Sequence, residues 1–198
     1  IVLIDRNLDK AKGEIMEIEH GSAFMAHTDF TASRSYRDAR NSDIVVITAG
    51  AAQAPGETRL QLLGRNIKIL KSIVLEVKRY APDSIIMLVT NPVDVLTYYA
   101  LKYSHFPHHR VFGTGTMLDT ARFKSYLAKY FAVNAHNIHA FILGEHGDSS
   151  FPALSTANVG SIPLKDMPGY NDKAMQAIFY TVRTVVYEII KKKGSTNL

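Results

Sequence analysis

The sequence predicts an α/β fold in which helices cover a parallel sheet. Short apolar runs alternate along the chain with longer helical stretches, an alternation typical of parallel strands joined by helical crossovers. Two of the runs, Ile44-Val45-Val46-Ile47 and Ile85-Ile86-Met87-Leu88-Val89, are apolar at every position, as expected of strands buried on both faces. The alternation is regular up to Gly113 and irregular after it, which predicts a second domain.

Each predicted strand is a short apolar run, and each predicted helix is a longer stretch between or after such runs. The strands are predicted at residues 1–4, 43–48, 84–89, 110–112 and 140–143. The helices are predicted at residues 9–24, 58–80, 93–103, 118–130 and 172–193. The last helix is expected to end with Lys191-Lys192-Lys193 before Gly194, because cations suit the negative end of the helix dipole and glycine suits the cap.

Composition narrows the class of protein. The chain has 198 residues, 46% hydrophobic and 21% charged, as in an ordinary globular protein. It has no cysteine, which excludes disulfides, thiolate metal sites and a cysteine nucleophile. Its net charge of +5 comes from basic residues spread along the sequence, so no nucleic-acid partner is expected. No apolar run approaches the ~20 residues that span a bilayer and no signal peptide is evident, so we expect a cytoplasmic protein with no membrane partner.

The two ends of the sequence favour a piece of a longer polypeptide. Residue 1 is Ile rather than Met and already lies inside an apolar run, while Leu198 follows directly after a predicted helix stop. We therefore expect an internal segment, with two domains at residues 1–112 and 113–198 that are incomplete at the amino and carboxyl ends respectively.

The segment Gly144-Glu145-His146-Gly147-Asp148 places an imidazole between two glycines, directly after the apolar run 140–143. Glycine lets the backbone turn sharply and lets a ligand approach closely. Because the unperturbed pKa of histidine is about 6.5, His146 is a candidate general acid or base. The alternative is an ordinary loop histidine that bonds locally, since one titratable residue alone does not make a site.

Asp5 ends the first predicted strand. In doubly wound dinucleotide-binding folds an acidic residue at such a strand tip accepts hydrogen bonds from the ribose hydroxyls, about 20 residues after a glycine-rich phosphate loop. That loop is absent, because Gly113-Thr114-Gly115 is the only Gly-X-Gly and lacks both the third glycine and the position in the fold. Asp5 is therefore either half of a dinucleotide site or part of a strand-to-helix turn with Arg6 and Asn7.

Two further strands end in residues suited to a ligand. Thr48-Ala49-Gly50 would let a flat cofactor lie against the backbone, and the Pro-Gly segment after it is expected to be a mobile loop carrying Gln53 and Arg59. In the alternative interpretation Arg59 belongs to the first turn of the next helix. Asn91 precedes Pro92, which holds it extended at the edge where α/β sheets bind ligands, unless the pair is simply a turn and helix start.

Asp119 and Arg122 share one face of a predicted helix. Most such pairs are surface salt bridges. The alternative is that Arg122 forms a bidentate contact with a substrate carboxylate while Asp119 turns toward an imidazole. His105, His108 and His109 lie in a Pro-containing turn without a nearby carboxylate or cysteine, so no metal site is expected.

Taken together, these motifs closely resemble the L-lactate and malate dehydrogenase family over essentially the whole chain. The matching segments, in order, are Asp5, Thr48-Ala49-Gly50, Gln53 to Arg59, Asn91-Pro92-Val93-Asp94, Leu118-Asp119-Thr120-Ala121-Arg122 and Gly144 to Asp148. The resemblance implies a Rossmann domain that binds NAD, a doubly wound parallel sheet without its first βα unit, at residues 1–112. A truncated α+β substrate domain is implied at residues 113–198. The family is implied to act in glycolysis and fermentation as a homo-oligomer, here expected to be a tetramer.

The resemblance also implies roles for the matching residues. His146 would exchange a proton with the keto oxygen of pyruvate as hydride arrives from NADH, and Asp119 would orient His146. Arg59 would polarise the carbonyl, and Arg122 would anchor the substrate carboxylate. The other residues implied to contact substrate are Asn91, Gln53 and Thr196, and those implied to contact NAD are Asp5, Thr48, Ala49, Gly50, Val89 and Asn91.

Gln53 bears on the choice of substrate. Malate dehydrogenases of the family carry arginine at this position to pair with the second carboxylate of oxaloacetate, and a neutral amide would leave that charge unpaired. We therefore expect reversible reduction of pyruvate to L-lactate. The alternatives are a malate or other 2-hydroxyacid dehydrogenase and a non-catalytic structural or binding descendant. His139 and Lys124 match positions through which many bacterial members bind the effector fructose 1,6-bisphosphate, with lysine where arginine is usual.

Overall fold

A computed structural model describes residues 1–51, 56 and 58–194, with Arg59 described by its backbone alone. The chain divides into two compact units. Unit 1 comprises Ile1–Asn91 and Val95–Gly113, and unit 2 comprises Pro92–Asp94 and Thr114–Leu198.

The helices and strands follow the predicted α/β alternation. The α-helices of the described residues are Leu8–Glu19 (α1), Arg59–Tyr80 (α2), Val93–Ser104 (α3), Met117–Phe131 (α4) and Asp172–Lys193 (α5). The strands are Val2–Ile4 (β1), Thr31–Ser33 (β2), Ile44–Ile47 (β3), Ile85–Leu88 (β4), Val111–Gly113 (β5), Ile138–His139 (β6), Ile142–Leu143 (β7), Phe151–Pro152 (β8), Asn158–Val159 (β9) and Ile162–Pro163 (β10).

All strand pairs recorded in unit 1 are parallel. β1 pairs with β2, and β4 lies between β3 and β5 with Ile47 opposite Leu88 and Leu88 opposite Gly113. Because these three strands run in one direction, the segments that follow β3 and β4 emerge side by side at one edge of the sheet. This edge is where ligands bind in open α/β sheets.

The core of unit 1 is built from the apolar faces of α2 and α3 and from the central strand. The apolar residues of unit 1 on these three elements that are at most 3% exposed are Leu70, Val74, Val77, Ile86, Leu88, Leu96 and Ala100. Helix α2 begins with a capping box, in which the Thr58 hydroxyl accepts from the Gln61 backbone N–H and the Gln61 side chain accepts from that of Thr58. The start of α2 is therefore fixed by local side chains.

A cleft separates β1 from β3. It encloses about 650 Å³ and is lined mainly by apolar residues of both strands. Ile44 and Val46 remain 56% and 49% exposed. The prediction that this strand is buried on both faces is wrong, because one of its faces opens to solvent.

In unit 2, α4 packs against α5 and against strands of two small antiparallel sheets. Phe123 and Leu127 of α4 and Met175 and Val182 of α5 are at most 1% exposed. Of the strand predicted at residues 140–143 only β7, Ile142–Leu143, is observed, because β7 pairs with β8 whereas the preceding β6 pairs with β9. The change of partner interrupts the ladder at residues 140–141.

The last helix begins and ends where the sequence predicts. The Asn171 side chain accepts from the Ala174 backbone N–H at its start, and Gly194 closes it with φ of 85°. A left-handed cap of this kind favours glycine, and the three lysines of the last turn face the negative end of the helix dipole.

No helix among the described residues has the length and apolar character needed to cross a membrane. No cluster of three or more His, Asp or Glu side chains among them is arranged to hold a metal ion.

Candidate active site

The segments after β3 and β4 meet in unit 1. The Val89 backbone N–H donates to the carbonyl of Ile47 at 3.0 Å, and the Thr90 hydroxyl donates to the carbonyl of Ala49 at 2.9 Å. A Cβ on Gly50 would overlap the Cγ2 of Thr90, so only glycine allows this approach. The structure therefore brings Thr48-Ala49-Gly50 beside Val89 and Asn91.

Asp5 lies just beyond the end of β1. Its backbone N–H donates to the carbonyl of Ser33 at 3.1 Å, which extends the pairing with β2 by one residue. Its Oδ1 accepts from the backbone N–H of Asn7 at 2.8 Å, and Asn7 in turn caps α1. Asp5 thus makes the turn that the alternative interpretation expected, through one of its two carboxylate oxygens.

The helix α4 carries two charged residues of the candidate site in unit 2. Asp119 and Arg122 lie one turn apart, with Arg122 Nη1 3.6 Å from Asp119 Oδ1, and both side chains are 12% exposed. The other oxygen of Asp119, Oδ2, lies 2.5 Å from Nδ1 of His146. One buried carboxylate therefore faces a guanidinium through one oxygen and an imidazole through the other.

The loop that carries His146 is shaped by its own sequence. Gly144 has φ of 92°, and a Cβ there would lie 3.2 Å from the carbonyl oxygen of Ser149. The buried hydroxyl of Ser150 donates to the carbonyl of Gly147 at 3.0 Å and closes the loop. Glycine at 144 therefore permits both the sharp turn and the close return of the chain.

Asp94 fixes the backbone of this loop, since its Oδ2 accepts from the backbone N–H of His146 at 2.8 Å. Two threonines fix β7, the strand before the loop. Thr116, the N-cap of α4, donates through Oγ1 to the Ile142 carbonyl at 2.7 Å, and the Ile142 N–H donates to Oγ1 of Thr120 on α4 at 3.0 Å. The strand that leads to the His146 loop is thus bonded to the first turn of α4, which also carries Asp119.

Sequence reasoning gave no role to Asp94, Thr116 or Thr120. Thr120 and Asp94 fall within the segments that matched the family, but no pattern in the sequence indicates which backbone group each side chain contacts. The spacing of Thr116 and Thr120, one helical turn apart around Asp119, is the one signal that could have suggested a shared partner.

The environment of His146 favours its charged form. The hydrogen bond to Asp119 raises the pKa of the imidazole above its ordinary value, and the negative charges of Asp119 and Asp94 add to the rise. Partial burial and the positive charge of Arg122 oppose it without cancelling it. Because Nδ1 is engaged with Asp119, Nε2 is the ring atom left to exchange a proton with a ligand.

Of the remaining predicted site residues, three are described by the structure and two are not. Arg59 is the first residue of α2, after the Thr58 cap, as one of the two interpretations of the sequence expected. Lys124 is half-buried on α4, and His139 is exposed on β6. Gln53 and Thr196 lie outside the described residues.

The two sets of candidate residues lie in different units. Asp5, Thr48-Ala49-Gly50, Val89 and Asn91 belong to unit 1. His146, Asp119 and Arg122 belong to unit 2, as does Asp94. Unit 1 thus contains the candidate residues at the ends of the sheet strands. Unit 2 contains the charged residues, including the histidine that can carry a proton.

Curated relatives of the chain carry the name L-lactate dehydrogenase. One from Bacillus licheniformis is 47% identical over 99% of this chain and 63% of its own length. Another, L-lactate dehydrogenase 1 from Clostridium acetobutylicum, is 45% identical over 99% of this chain and 64% of its own length. The chain therefore spans less than two thirds of the relatives that it matches.

Solved structures of similar proteins agree with the fold. A lactate dehydrogenase from a Medee basin deep-sea metagenome library matches with a TM-score of 0.92 at 42% identity, over 98% of this chain and 63% of the other. The minor L-lactate dehydrogenase of Enterococcus mundtii, in a ligand-bound form, matches with a TM-score of 0.92 at 38% identity over the same shares.

Family models account for nearly the whole sequence. Residues 1–113 match the model described as lactate/malate dehydrogenase, NAD binding domain, so the NAD-binding domain of that family is present here. Residues 116–198 match the model described as its alpha/beta C-terminal domain. With both domain models matched in order, and with the buried Asp119 facing His146 and Arg122, the chain belongs to the lactate/malate dehydrogenase family.

Proposed function

We propose that the protein reversibly reduces pyruvate to L-lactate with NADH. The contact between His146 Nδ1 and Asp119 Oδ2, 2.5 Å long and beside Arg122, carries the proposal. A charged imidazole held by a buried carboxylate is a proton donor suited to a keto oxygen that is becoming an alkoxide. A neighbouring guanidinium is suited to the carboxylate of a small keto acid.

In the forward direction His146 gives its Nε2 proton to the keto oxygen. The nicotinamide of NADH, when bound, supplies the hydride to the keto carbon. His146 keeps its Nδ1 proton, which it shares with Asp119, and becomes neutral; in reverse it takes the hydroxyl proton of lactate. Arg59 would stabilise the negative charge that develops on the oxygen, and Arg122 would hold the substrate carboxylate.

The groups present in unit 1 fit part of NAD. Asp5 offers carboxylate oxygens to the ribose hydroxyls, while Thr48-Ala49-Gly50 and Val89 present small or apolar surface to a flat ring. Asn91 would bond the substrate oxygen and help place the nicotinamide. No glycine-rich phosphate loop occurs in the sequence, so these residues account for the ribose and nicotinamide ends only.

Further assignments complete the proposal. Residues 1–112 would form the NAD-binding domain and residues 113–198 the substrate domain. The enzyme would be a cytoplasmic homotetramer of glycolysis and fermentation, and Lys124 with His139 would bind fructose 1,6-bisphosphate. Thr196 would line the substrate pocket.

Steady-state kinetics with the full-length protein test the proposal. NADH oxidation would be followed with pyruvate and with oxaloacetate as alternative substrates. A higher kcat/KM for pyruvate is expected, whereas a higher kcat/KM for oxaloacetate would support a malate dehydrogenase. No turnover on either substrate would favour the non-catalytic descendant.

The substrate preference has a direct test at Gln53. Replacing it by arginine supplies a positive charge for the second carboxylate of oxaloacetate, so the Gln53→Arg variant is expected to shift the ratio of kcat/KM toward oxaloacetate. An unchanged ratio in a folded variant would contradict the assignment of Gln53 as the residue that selects pyruvate.

A further inference from the structure

Asn66 is a buried polar residue of unit 1 that neither the sequence motifs nor the proposed function uses. It lies on α2 and is 3% exposed. A buried amide is costly unless both its oxygen and its nitrogen find partners. The groups that bond the Asn66 amide therefore indicate why the fold needs an amide at this position.

The Asn66 side chain bridges the two segments that follow β3 and β4. Its Oδ1 accepts from the backbone N–H of Ala51 at 2.8 Å, and its Nδ2 donates to the backbone carbonyl of Asn91 at 3.4 Å. One partner needs an acceptor and the other a donor, which a single amide provides. Aspartate would satisfy Ala51 alone, and leucine would satisfy neither.

The bonds of Asn66 add to the contacts that Thr90 makes with the segment around Gly50. Thr90 holds Ala49, the residue before Gly50, through its hydroxyl, and its methyl group lies against Gly50. Asn66 holds Ala51, the residue after Gly50. The segment around Gly50 is thus fixed on both sides, but only Asn66 also bonds the backbone of Asn91.

We propose that Asn66 is a positioning residue for the cofactor and substrate site. It sets the distance between the Thr48-Ala49-Gly50 surface and the backbone of Asn91. The inference rests on the proposed function, in which that surface meets NAD and the Asn91 amide meets the substrate oxygen. Asn66 itself touches neither; it acts through Ala51 and Asn91.

The two bonds can be separated by substitution. Asn66→Asp keeps an oxygen for the Ala51 N–H but sets an oxygen against the Asn91 carbonyl, so NADH affinity is expected to change little while kcat falls about ten-fold. Asn66→Leu removes both bonds, so NADH affinity and kcat are expected to fall together. Gly64→Ala is the matched control, because Gly64 is an exposed residue of the same helix with no atom within 4 Å of an added Cβ.

Amide hydrogen exchange gives a readout that does not depend on turnover. The Ala51 amide is expected to exchange at least about five-fold faster in Asn66→Leu than in the parent, and at the parent rate in Asn66→Asp and Gly64→Ala. The Val89 amide, which bonds Ile47 across β3 and β4, reports whether the sheet is still formed. If Asn66→Leu fails to fold, Asn66→Asp still tests the bond to Asn91 through kcat.

The outcomes distinguish a failure of the proposed function from a failure of the positioning role of Asn66. Failure of the parent protein to reduce pyruvate would sink the proposed function, while Ala51 exchange and NADH affinity would still show whether Asn66 holds the segment. An unchanged Ala51 exchange rate in folded Asn66→Leu, or an unchanged kcat in folded Asn66→Asp when the parent is active, would overturn the positioning role.

Discussion

In unit 2 the charged side chains of the candidate site bond one another directly, whereas in unit 1 the candidate site is a stretch of backbone that neighbouring side chains hold in place. Asp119 bonds His146 directly and lies against Arg122, so the three charged groups form one cluster. At the sheet edge of unit 1, backbone groups around Gly50 are held from outside by Thr90 and Asn66.

The difference corresponds to what each unit is proposed to do. Proton transfer needs a titratable group with a fixed orientation and an adjusted pKa, and a charged partner within bonding distance supplies both. A flat cofactor lies against backbone from which no large side chains project, and such a backbone segment is held in place by side chains of neighbouring segments. Substitutions in the charged cluster of unit 2 should therefore act mainly on proton transfer, and those around Gly50 in unit 1 on NADH binding and stability.

The largest effect is expected at His146. In His146→Gln the side chain can still donate a hydrogen bond but cannot release a proton, so kcat/KM for pyruvate should fall by about 10²–10⁴-fold with NADH affinity retained. Stopped-flow or steady-state assays would measure it. His136→Gln, at an exposed histidine of unit 2, is the control. A loss of NADH affinity as large as the loss of rate would break the division of labour between the units.

A smaller effect, with a characteristic pH dependence, is expected at Asp119. Asp119→Asn removes a charge-assisted bond, so kcat/KM for pyruvate should fall by about 10- to 100-fold. Because Asp119 raises the pKa of His146, pyruvate reduction by the parent should decline as pH rises through that raised pKa. In the variant the decline should move to lower pH, and an unmoved midpoint in the pH profile would contradict the pairing.

The pairing of His146 with Asp119 also makes the free energy of unfolding depend on pH. A raised pKa in the folded protein means that the interaction contributes fully at pH values below the unfolded pKa, about 6.5, and is lost as pH rises through the folded pKa. The stability difference between the parent and Asp119→Asn should therefore shrink as pH rises.

In unit 1, Gly50→Ala should act on folding rather than on proton transfer. The added methyl group would overlap Thr90, which is expected to lower the free energy of unfolding by about 1–3 kcal/mol. Gly64→Ala, in α2 with space around it, should instead raise it by about 0.5–1 kcal/mol. Urea unfolding would measure both, and equal stability of the two variants would show that the approach at Gly50 is not tight.

The smallest effect is expected at Arg183. Its Nη2 lies 2.8 Å from Oδ1 of Asp148, in the loop of His146, but the Asp148 side chain is fully exposed. An exposed ion pair contributes little, so Arg183→Gln should change kcat/KM by at most about three-fold. A much larger loss would show that the His146 loop depends on this exposed ion pair as well as on its bond to Asp94.

The sequence predicted the helices and the parallel strands of unit 1 well, because their apolar periodicity and caps are local signals. Helix α5 was predicted with its observed bounds, and α2 began one residue after its predicted start, following the Thr58 cap. The strand β2, Thr31–Ser33, was missed, because its Thr-Ala-Ser sequence carries no apolar signal and depends on pairing with β1. The end of the first helix was predicted five residues too late, at 24 instead of 19, since a 3₁₀ turn at Ser22–Phe24 continues the polar and apolar pattern.

The charged residues of the candidate site could be predicted from the sequence, but the residues that hold the surrounding backbone in place could not. Asp119, Arg122 and His146 stand in recognisable motifs, and the structure places them together in unit 2. Asn66, Thr116 and Thr120 act through bonds to distant backbone groups, such as Ala51 and Ile142. A bond of this kind is set by tertiary packing and leaves no local periodicity for sequence reasoning to detect.

The cleft between β1 and β3 has a consequence for the sheet of unit 1. Among the described residues, β1 pairs only with β2 and β3 only with β4, so each presents one edge of unsatisfied N–H and C=O groups flanked by exposed Ile and Val side chains. Such edges are templates on which a strand of another molecule can add. The facing edges of β1 and β3 can therefore accept a further strand, for which the apolar lining of the cleft would be the contact surface.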